Sequence, residues 1–371
     1  MTATTPLAQV HESAGALFTD FAGWQMPVKY TSELAEHQAV RTAAGMFDLS
    51  HMGEIRVQGA ESGAFLDAAF AGRLSTMKLG QAKYTLLLAE NGGILDDVIV
   101  YRLGDTNYLV VANASNCATV LEQLQQRVAG FDATVVDESS ETALIAVQGP
   151  ASAEIVSAAG IESEPLDGLK YYRAMEGIFE GEDILIARTG YTGEDGFELY
   201  VPNHAAVSLW ETLARVGESK GLQLCGLAAR DTLRLEAGMP LYGNELSREV
   251  TPFEAGLGPV VSFKKEERFV GRDALEARKA EGPERVLVGL KGSGRRAGRG
   301  GYGVFAGGSG VDGDPIGVIT SGQPSPTLGY PVAIAYVDPE FSEVGTALDV
   351  DLRGKAEPFE VVALPFYKRG A

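Results

Sequence analysis

Cysteine is almost absent from this chain of 371 residues, occurring only as Cys117 and Cys225. Two thiols in unrelated contexts make neither a disulfide framework nor a thiolate metal cluster, and both are expected as buried structural residues. Long apolar runs are missing as well. None approaches the roughly 18–20 residues needed to span a bilayer. The opening Met1-Thr2-Ala3-Thr4-Thr5-Pro6 lacks the basic start and apolar core of a signal peptide. A soluble cytoplasmic protein with no membrane partner is therefore expected. Positive charge is in deficit: 31 Lys and Arg face 50 Asp and Glu, a formal net charge of −19. Affinity for a phosphate backbone comes from counterion release onto a clustered cationic surface, so no nucleic-acid partner is expected. Net charge describes the average surface and leaves room for a local basic pocket holding an anionic small molecule.

Some familiar motifs are missing too. No Walker A sequence, zinc ligand set or chain-length repeat occurs. Gly292-Ser293-Gly294-Arg295-Arg296-Ala297 formally fits the dinucleotide pattern G-x-G-x-x-A. That pattern works only when a helix follows to hold the pyrophosphate at its N-terminus, and Gly298-Arg299-Gly300-Gly301 cannot readily supply one.

What is present suffices for a sizeable core: 45% of the residues are hydrophobic, and the length calls for two or three domains. The most informative stretch runs from Asn91-Gly92-Gly93 into Ile94-Leu95-Asp96-Asp97-Val98-Ile99-Val100-Tyr101. Asn-Gly-Gly is turn chemistry, and the β-branched run after it predicts a strand. Side chains alternate in a strand, so Leu95, Asp97, Ile99 and Tyr101 share one face and Ile94, Asp96, Val98 and Val100 the other. Only one Asp can face a given pocket. The Asp97 face carries a polar aromatic and the Asp96 face is otherwise apolar, which favours Asp97 as the ligand-facing acid. A pair of solvated acids at a strand entrance explains the periodicity equally well.

Along the chain, Trp24 and Met26 read as core anchors. Ser32 can cap a helix reaching residue 44, with Gly45 ending it in the left-handed region. Asp48, Ser50 and His51 lie within four residues before a strand. Triads are assembled by folds rather than by adjacency, and no Gly-x-Ser-x-Gly elbow surrounds Ser50. A hydrogen-bonded turn is the default for Asp48 and Ser50, with His51 a possible ligand contact. Residues 101–111 continue as a hairpin, and 117–128 recur at helical spacing up to Gly130. A strand at 142–147 leads into Gly149-Pro150, with Pro150 in the first turn of a helix. A glycine-punctuated loop, 189–196, joins two strands and leads to Glu198, which lies opposite an apolar face. Its bland reading is a solvent-facing glutamate. Arg230, Asp231 and Arg234 fall at i,i+3 and i,i+4 spacings of a helix, compatible with a surface network, although Arg230 emerges from a small apolar run. A charged helix at 272–284 ends at Gly282-Pro283. Five candidate strands follow (286–290, 302–305, 316–320, 332–337 and 359–364), fitting an antiparallel barrel or sandwich.

The expected fold class is α+β and multi-domain. Mixed antiparallel sheets with helices form the N-terminal region: residues 1–48 plus 140–271 make one subdomain, and 49–139 an inserted α+β subdomain. A C-terminal antiparallel barrel-like domain spans 284–371. From residues alone, acids (Asp97, Glu198), an arginine (Arg230) and tyrosines (Tyr84, Tyr101, Tyr191), with no nucleophile and no metal set, suit a flat polar heteroaromatic ligand such as a pterin or purine. Such a ring needs an acid for its paired N–H donors, faces to sandwich it and an arginine for any carboxylate tail.

In combination the motifs go further. Phe47-Asp48-Leu49-Ser50-His51-Met52-Gly53-Glu54, Gly92-Gly93-Ile94-Leu95-Asp96-Asp97, Ile145-Ala146-Val147-Gln148-Gly149-Pro150, Arg188-Thr189-Gly190-Tyr191-Thr192-Gly193-Glu194-Asp195-Gly196-Phe197-Glu198, Gly226-Leu227-Ala228-Ala229-Arg230-Asp231 and Thr320-Ser321-Gly322-Gln323-Pro324-Ser325 occur in this order. Together they resemble the T-protein family of the glycine cleavage system, whose members are aminomethyltransferases. The resemblance spans essentially the whole chain. It implies tetrahydrofolate as co-substrate, the lipoylated H-protein as partner and a monomer. The products would be ammonia, 5,10-methylenetetrahydrofolate and dihydrolipoyl H-protein. It makes residues 1–48 plus 140–271 the first part of a folate-binding domain, with Asp97 carried by the insert. By the same likeness Asp97 is the catalytic residue, orienting the reactive edge of the folate. Glu198 pairs with the pterin, Arg230 binds nearby, and Met52, Tyr84, Tyr101, Asn113 and Tyr191 line the pocket. An unperturbed Asp, with a pKa of about 3.9, is ionised at neutral pH, so a general-acid role would demand strong burial.

Three alternatives stay open. One is another folate-dependent transferase or demethylase on this scaffold. The second is a non-enzymatic folate-binding protein of the iron–sulfur assembly type. Such proteins carry Lys-Gly-Cys-Tyr-Thr-Gly-Gln where this chain has Arg188-Thr189-Gly190-Tyr191-Thr192-Gly193-Glu194, and the missing cysteine argues for the transferase. The third is a plain interaction module.

Overall fold

In the computed structural model, which describes residues 2–370, the Asn91-Gly92-Gly93 turn delivers the chain into the strand Ile94–Gly104. Glycine is required twice in that turn. Gly92 adopts φ +83°, and a Cβ on Gly93 would fall 1.9 Å from the Arg248 carbonyl oxygen. The strand turns back through Asn107–Ala112 as an antiparallel hairpin. It belongs to a five-stranded sheet completed by Ala82–Leu88, Gly53–Gln58 and Thr134–Asp137. The helix Cys117–Arg127 buries Val120 and Leu124, the i,i+4 pair that its spacing announces.

A second sheet has six strands, in the order Ala174–Phe179, Glu182–Ala187, Gly196–Pro202, Thr142–Gln148, Ala44–Asp48 and Leu222–Leu224. All its pairings are antiparallel except the last. The helix Ala206–Gly217 buries Leu209, Trp210 and Leu213 in the same core as Ile145, Val147, Phe197 and Leu199 of this sheet. A closed six-stranded antiparallel barrel is formed by Val286–Gly292, Gly303–Ala306, Gly317–Pro324, Pro331–Val337, Ala347–Asp351 and Ala356–Val362. Closure leaves no edge strand open to further pairing. The fold is thus α+β, with mixed and antiparallel sheets and a C-terminal barrel. Each sheet draws its strands from one of the three sequence segments, and we propose those segments as the domains. By density of contacts the chain divides into two compact units. One comprises residues up to 87, 96–230 and 264–269; the other comprises 88–95, 231–263 and 270 onward.

Several local expectations are corrected. The helix capped by Ser32, whose Oγ accepts the Ala35 N–H at 3.1 Å, stops at Thr42. Gly45 lies inside a strand, where a Cβ would meet Val40 Cγ2 at 2.4 Å and Cys225 Sγ at 2.6 Å, so glycine serves close packing there and not a cap. Pro150 precedes the helix Ser152–Ser157 rather than entering it. Met26 is buried but Trp24 only half-buried. Cys225 is buried whereas Cys117 is half-buried, its thiol donating to the Asn113 carbonyl. The barrel has a sixth strand, Ala347–Asp351, beyond the five read from sequence. Its acids mask the pattern: Leu348 and Val350 enter the barrel core, while the Asp349 carboxylate accepts the Gly308 and Gly310 N–H groups. The residues directly after the strand Val286–Gly292 are bends and irregular backbone, not helix. Among the described residues no helix is long and apolar enough to cross a membrane, and no group of three or more His, Cys, Asp or Glu side chains could hold a metal ion.

Candidate active site

The two acids of the central strand part company as alternation requires. Asp96 is fully buried. One of its oxygens accepts the Asn113 side-chain amide at 2.9 Å and that of Asn116 at 2.7 Å, and the other accepts the Asn113 backbone N–H at 3.0 Å. Burial, then the neighbouring Asp97 charge, pushes its pKa up to about 7 against the pull of the Asn116 and Asn113 donors. Asp97 is only half-buried. The Tyr84 hydroxyl donates to it at 3.0 Å, and the Asn113 amide to its other oxygen at 2.9 Å. Asn113 thus bridges both acids and fixes the Asp97 carboxylate against Tyr84.

Tyr101, one strand turn on, is buried, its hydroxyl 3.0 Å from Thr189 Oγ1. The Thr189 hydroxyl donates in turn to Glu198, and the Tyr200 hydroxyl donates to Tyr101 at 3.3 Å. Glu198 is 8% exposed, which removes the solvent-facing reading. Burial raises its pKa, opposed by the Thr189 hydroxyl, the Arg230 charge and Tyr101. The Arg230 guanidinium stands 4.8 Å from the centre of the Tyr191 ring, within the range of a cation–π contact. Arg230 rides on the helix Leu227–Glu236. The start of that helix is held by Glu36, whose carboxylate accepts the Gly226 N–H at 2.9 Å with one oxygen and the Tyr30 and Thr31 N–H groups at 2.7 and 2.8 Å with the other.

Asp97, Tyr84 and Asn113 form one hydrogen-bonded group and Tyr101, Glu198, Arg230 and Tyr191 gather in a second around Thr189, all in one unit, with Tyr191 near enough to Tyr84 to act, behind burial and Asp97, on its pKa. Met52 is half-buried in the turn after His51, its amide bonded to the Leu49 carbonyl. The acid of the neighbouring motif has a different task. Asp48 accepts Thr5 Oγ1 at 2.6 Å, the His11 ring at 2.8 Å and the Ser50 N–H at 2.9 Å. Burial alone would raise its pKa, but His11 and these donors bring it below the usual carboxylate value. His51 is buried with Nδ1 unpartnered, and burial and the Arg230 charge lower its pKa to about 4, so it is neutral at pH 7. Arg234 is 1% exposed and ion-paired to Glu245 and Asp231, not part of a surface network. It is bound up with the structure of the other unit.

Sequence reading missed four members of these groups, among them Tyr200, which donates to Tyr101. Thr189 joins Tyr101 to Glu198, and Asn116 completes the Asp96 cage. Tyr172 is near enough to Asp97 and Glu198 for both charges, behind burial and Tyr171, to raise its pKa. It adopts φ +59°, an uncommon conformation for an aromatic residue and a form of strain that tends to accompany function. The Tyr171-Tyr172 pair was its only signal in the sequence.

Comparison with known proteins places this geometry. Residues 7–265 match the model of the GCVT N-terminal domain, and residues 285–368 that of the glycine cleavage T-protein C-terminal barrel domain. The aminomethyltransferase of Cutibacterium acnes is 58% identical over 371 residues, covering 98% of both chains. That of Streptomyces coelicolor is 58% identical over 369 residues, covering 98% of this chain and 97% of its own. The crystal structure of the glycine cleavage system aminomethyltransferase T from Bartonella henselae superposes with a TM-score of 0.92 at 38% identity over 99% of each chain. Matched end to end by both domain models and by these relatives, the chain belongs to the glycine cleavage T-protein family of aminomethyltransferases.

Proposed function

We propose that the chain transfers the methylene carbon of an aminomethyl group, carried on the lipoyl arm of H-protein, to tetrahydrofolate with release of ammonia. The observation that carries this reading is the half-buried Asp97 carboxylate held by Tyr84 and Asn113 in the unit that also contains Glu198, Arg230 and Tyr191. The residues fit a reduced pterin. Buried Glu198 can accept paired N–H donors, the tyrosines offer ring faces, and Arg230 supplies a charge for the carboxylate tail.

Positioning outweighs proton transfer at Asp97. Holding two reactants in attack geometry can supply roughly 7–11 kcal/mol, whereas acid–base help is typically worth about 10²–10⁴-fold. A half-buried Asp97 with two donors aimed at it is suited to remain an anion, which orients an N–H and stabilises positive charge developing beside it. Glu198 with Thr189 and Tyr101 fixes the ring in its plane. Neutral His51 adds an uncharged hydrogen-bonding group next to Arg230.

The deciding experiment supplies aminomethylated H-protein and tetrahydrofolate to the purified protein and assays ammonia and 5,10-methylenetetrahydrofolate. Both are expected in equal amounts. Folate binding without either product would overturn the donor and point to another one-carbon transferase on this scaffold.

A further inference from the structure

Gln148 ends the strand Thr142–Gln148 in the six-stranded sheet, between Ala44–Asp48 and Gly196–Pro202. Its side chain enters the loop that joins Glu182–Ala187 to Gly196–Pro202, the loop carrying Thr189 and Tyr191. The residue is 1% exposed, so its amide depends on protein partners. Nε2 donates to the Thr189 carbonyl at 3.1 Å and, at 3.5 Å, to the Phe197 carbonyl, while Oε1 accepts the Thr192 hydroxyl at 3.0 Å. The amide can sit only this way round, because two carbonyls can only accept and must face the nitrogen. One side chain thus ties the start of the loop, its middle and the strand that leaves it.

Two glycines make room for it. A Cβ on Gly190 would fall 2.0 Å from Gln148 Oε1, and one on Gly196 would fall 2.3 Å from Nε2. Neither glycine is in the left-handed region, so what requires glycine there is the amide lodged between them. Ion pairs also bear on this loop, but on its second half: Arg41 pairs with Glu194 at 3.0 Å and donates to the Thr192 carbonyl at 2.7 Å, and Arg188 pairs with Asp195 at 2.6 Å. Of these three side chains, Gln148 is the one bonded to Thr189.

We propose that Gln148 is a positioning residue for folate recognition, acting through Thr189 and Tyr191. This rests on the reading that Glu198 and Tyr191 hold the pterin ring. The Thr189 hydroxyl donates to Glu198 and stands 3.0 Å from the Tyr101 hydroxyl, so the placing of the Thr189 backbone sets how the Glu198 carboxylate is held. Thr192, fixed by Gln148, directly follows Tyr191, whose ring lies 4.8 Å from the Arg230 guanidinium. Moving the amide therefore shifts the acid and the ring face together. Asp97 is held separately by Tyr84 and Asn113, so loss of the Gln148 amide falls on folate binding and leaves the chemical step largely intact. An interaction that serves ground state and transition state alike has this signature.

Calorimetric titration of the full chain with tetrahydrofolate under exclusion of oxygen, alongside thermal melting and steady-state turnover, tests this. Gln148→Met keeps the length of the side chain and removes its donor and its acceptor. Folate affinity is expected to fall about 10-fold, with turnover at saturating folate within about 3-fold of the wild type. Gly190→Ala retains Gln148 but can be accommodated only by displacing its amide, so it should lower affinity to a similar degree, and it carries the test if Gln148→Met does not fold. In the double variant Gly190→Ala/Gln148→Ala the clash is gone and so is the amide. Its loss of melting temperature should be smaller than the sum of the two single losses, while folate affinity stays low. Wild-type affinity in Gln148→Met or Gly190→Ala, a loss confined to turnover, or affinity restored in the double variant would each overturn the role of Gln148 and leave the folate reading standing. Absence of tetrahydrofolate binding by the wild type would remove both.

Discussion

Asp96 and Asp97 are adjacent and chemically identical, yet the strand gives one three donors in a dry pocket and the other a half-open pocket beside Tyr84. Different failures follow. Asp97→Asn keeps the size but places an amide where an anion faces the folate. Turnover is expected to drop by about 10²-fold or more with folate affinity nearly unchanged; equal loss of both would refute a positioning role. Asp96→Asn should act on stability. An amide N–H₂ would meet the Asn113 or Asn116 donors, costing roughly 1–3 kcal/mol in denaturant unfolding, with a smaller effect on turnover. The pH dependence has a definite sign. The Asp96 pKa of about 7 in the folded chain lies above the ordinary value of about 3.9, so the folded state binds the proton more tightly. Its contribution to stability is complete below pH 4 and is lost as pH rises towards 7. Unfolding free energies measured across pH 4–7 should decline more steeply for the wild type than for Asp96→Asn.

At the scale of elements, the helix Glu33–Thr42 and the Arg230 helix are joined through a single carboxylate. Ser32 caps the first by accepting the Ala35 N–H, an exposed bond whose removal in Ser32→Ala should cost about 1 kcal/mol. Glu36 is fully buried and serves three backbone N–H groups, including that of Gly226. Glu36→Gln turns one accepting oxygen into a donor facing a backbone donor, so it should cost more than Ser32→Ala, roughly 1–3 kcal/mol or above, and should loosen the start of the Arg230 helix. Chemical denaturation ranks the two, and folate titration should show weaker binding only for Glu36→Gln. The reverse ranking would mean that Glu36 is dispensable as a clamp. The helix and its cap were legible because Ser followed by an acidic first turn is local chemistry. Its end was not, because Gly45 is held by close packing against Val40 and against Cys225, the latter 180 positions away in sequence.

For the whole molecule the dominant long-range feature is the net charge of −19, which repels itself in the folded chain. Raising salt from 0.1 to 1 M shortens the screening length from about 10 to 3 Å. The melting temperature is expected to rise; a fall would show that ion pairs such as Arg56–Glu138 and Arg188–Asp195 outweigh the general repulsion. Sequence by itself determined the α+β class, the antiparallel C-terminal strands and the family, because alternation, glycine turns and ordered motifs are properties of neighbouring residues. It also put Asp96 and Asp97 on opposite faces, since a strand permits nothing else. Only the tertiary structure decided that Glu198 is buried with Thr189 donating to it, that Arg234 is an interior ion pair, that Tyr172 is near both site acids, and that the Glu54 carboxyl is buried with neither oxygen hydrogen-bonded to another residue. Each of these depends on which strands and helices pack together from distant parts of the chain. Burial and partnership set the charge of an acid, and neither can be read from residues beside it.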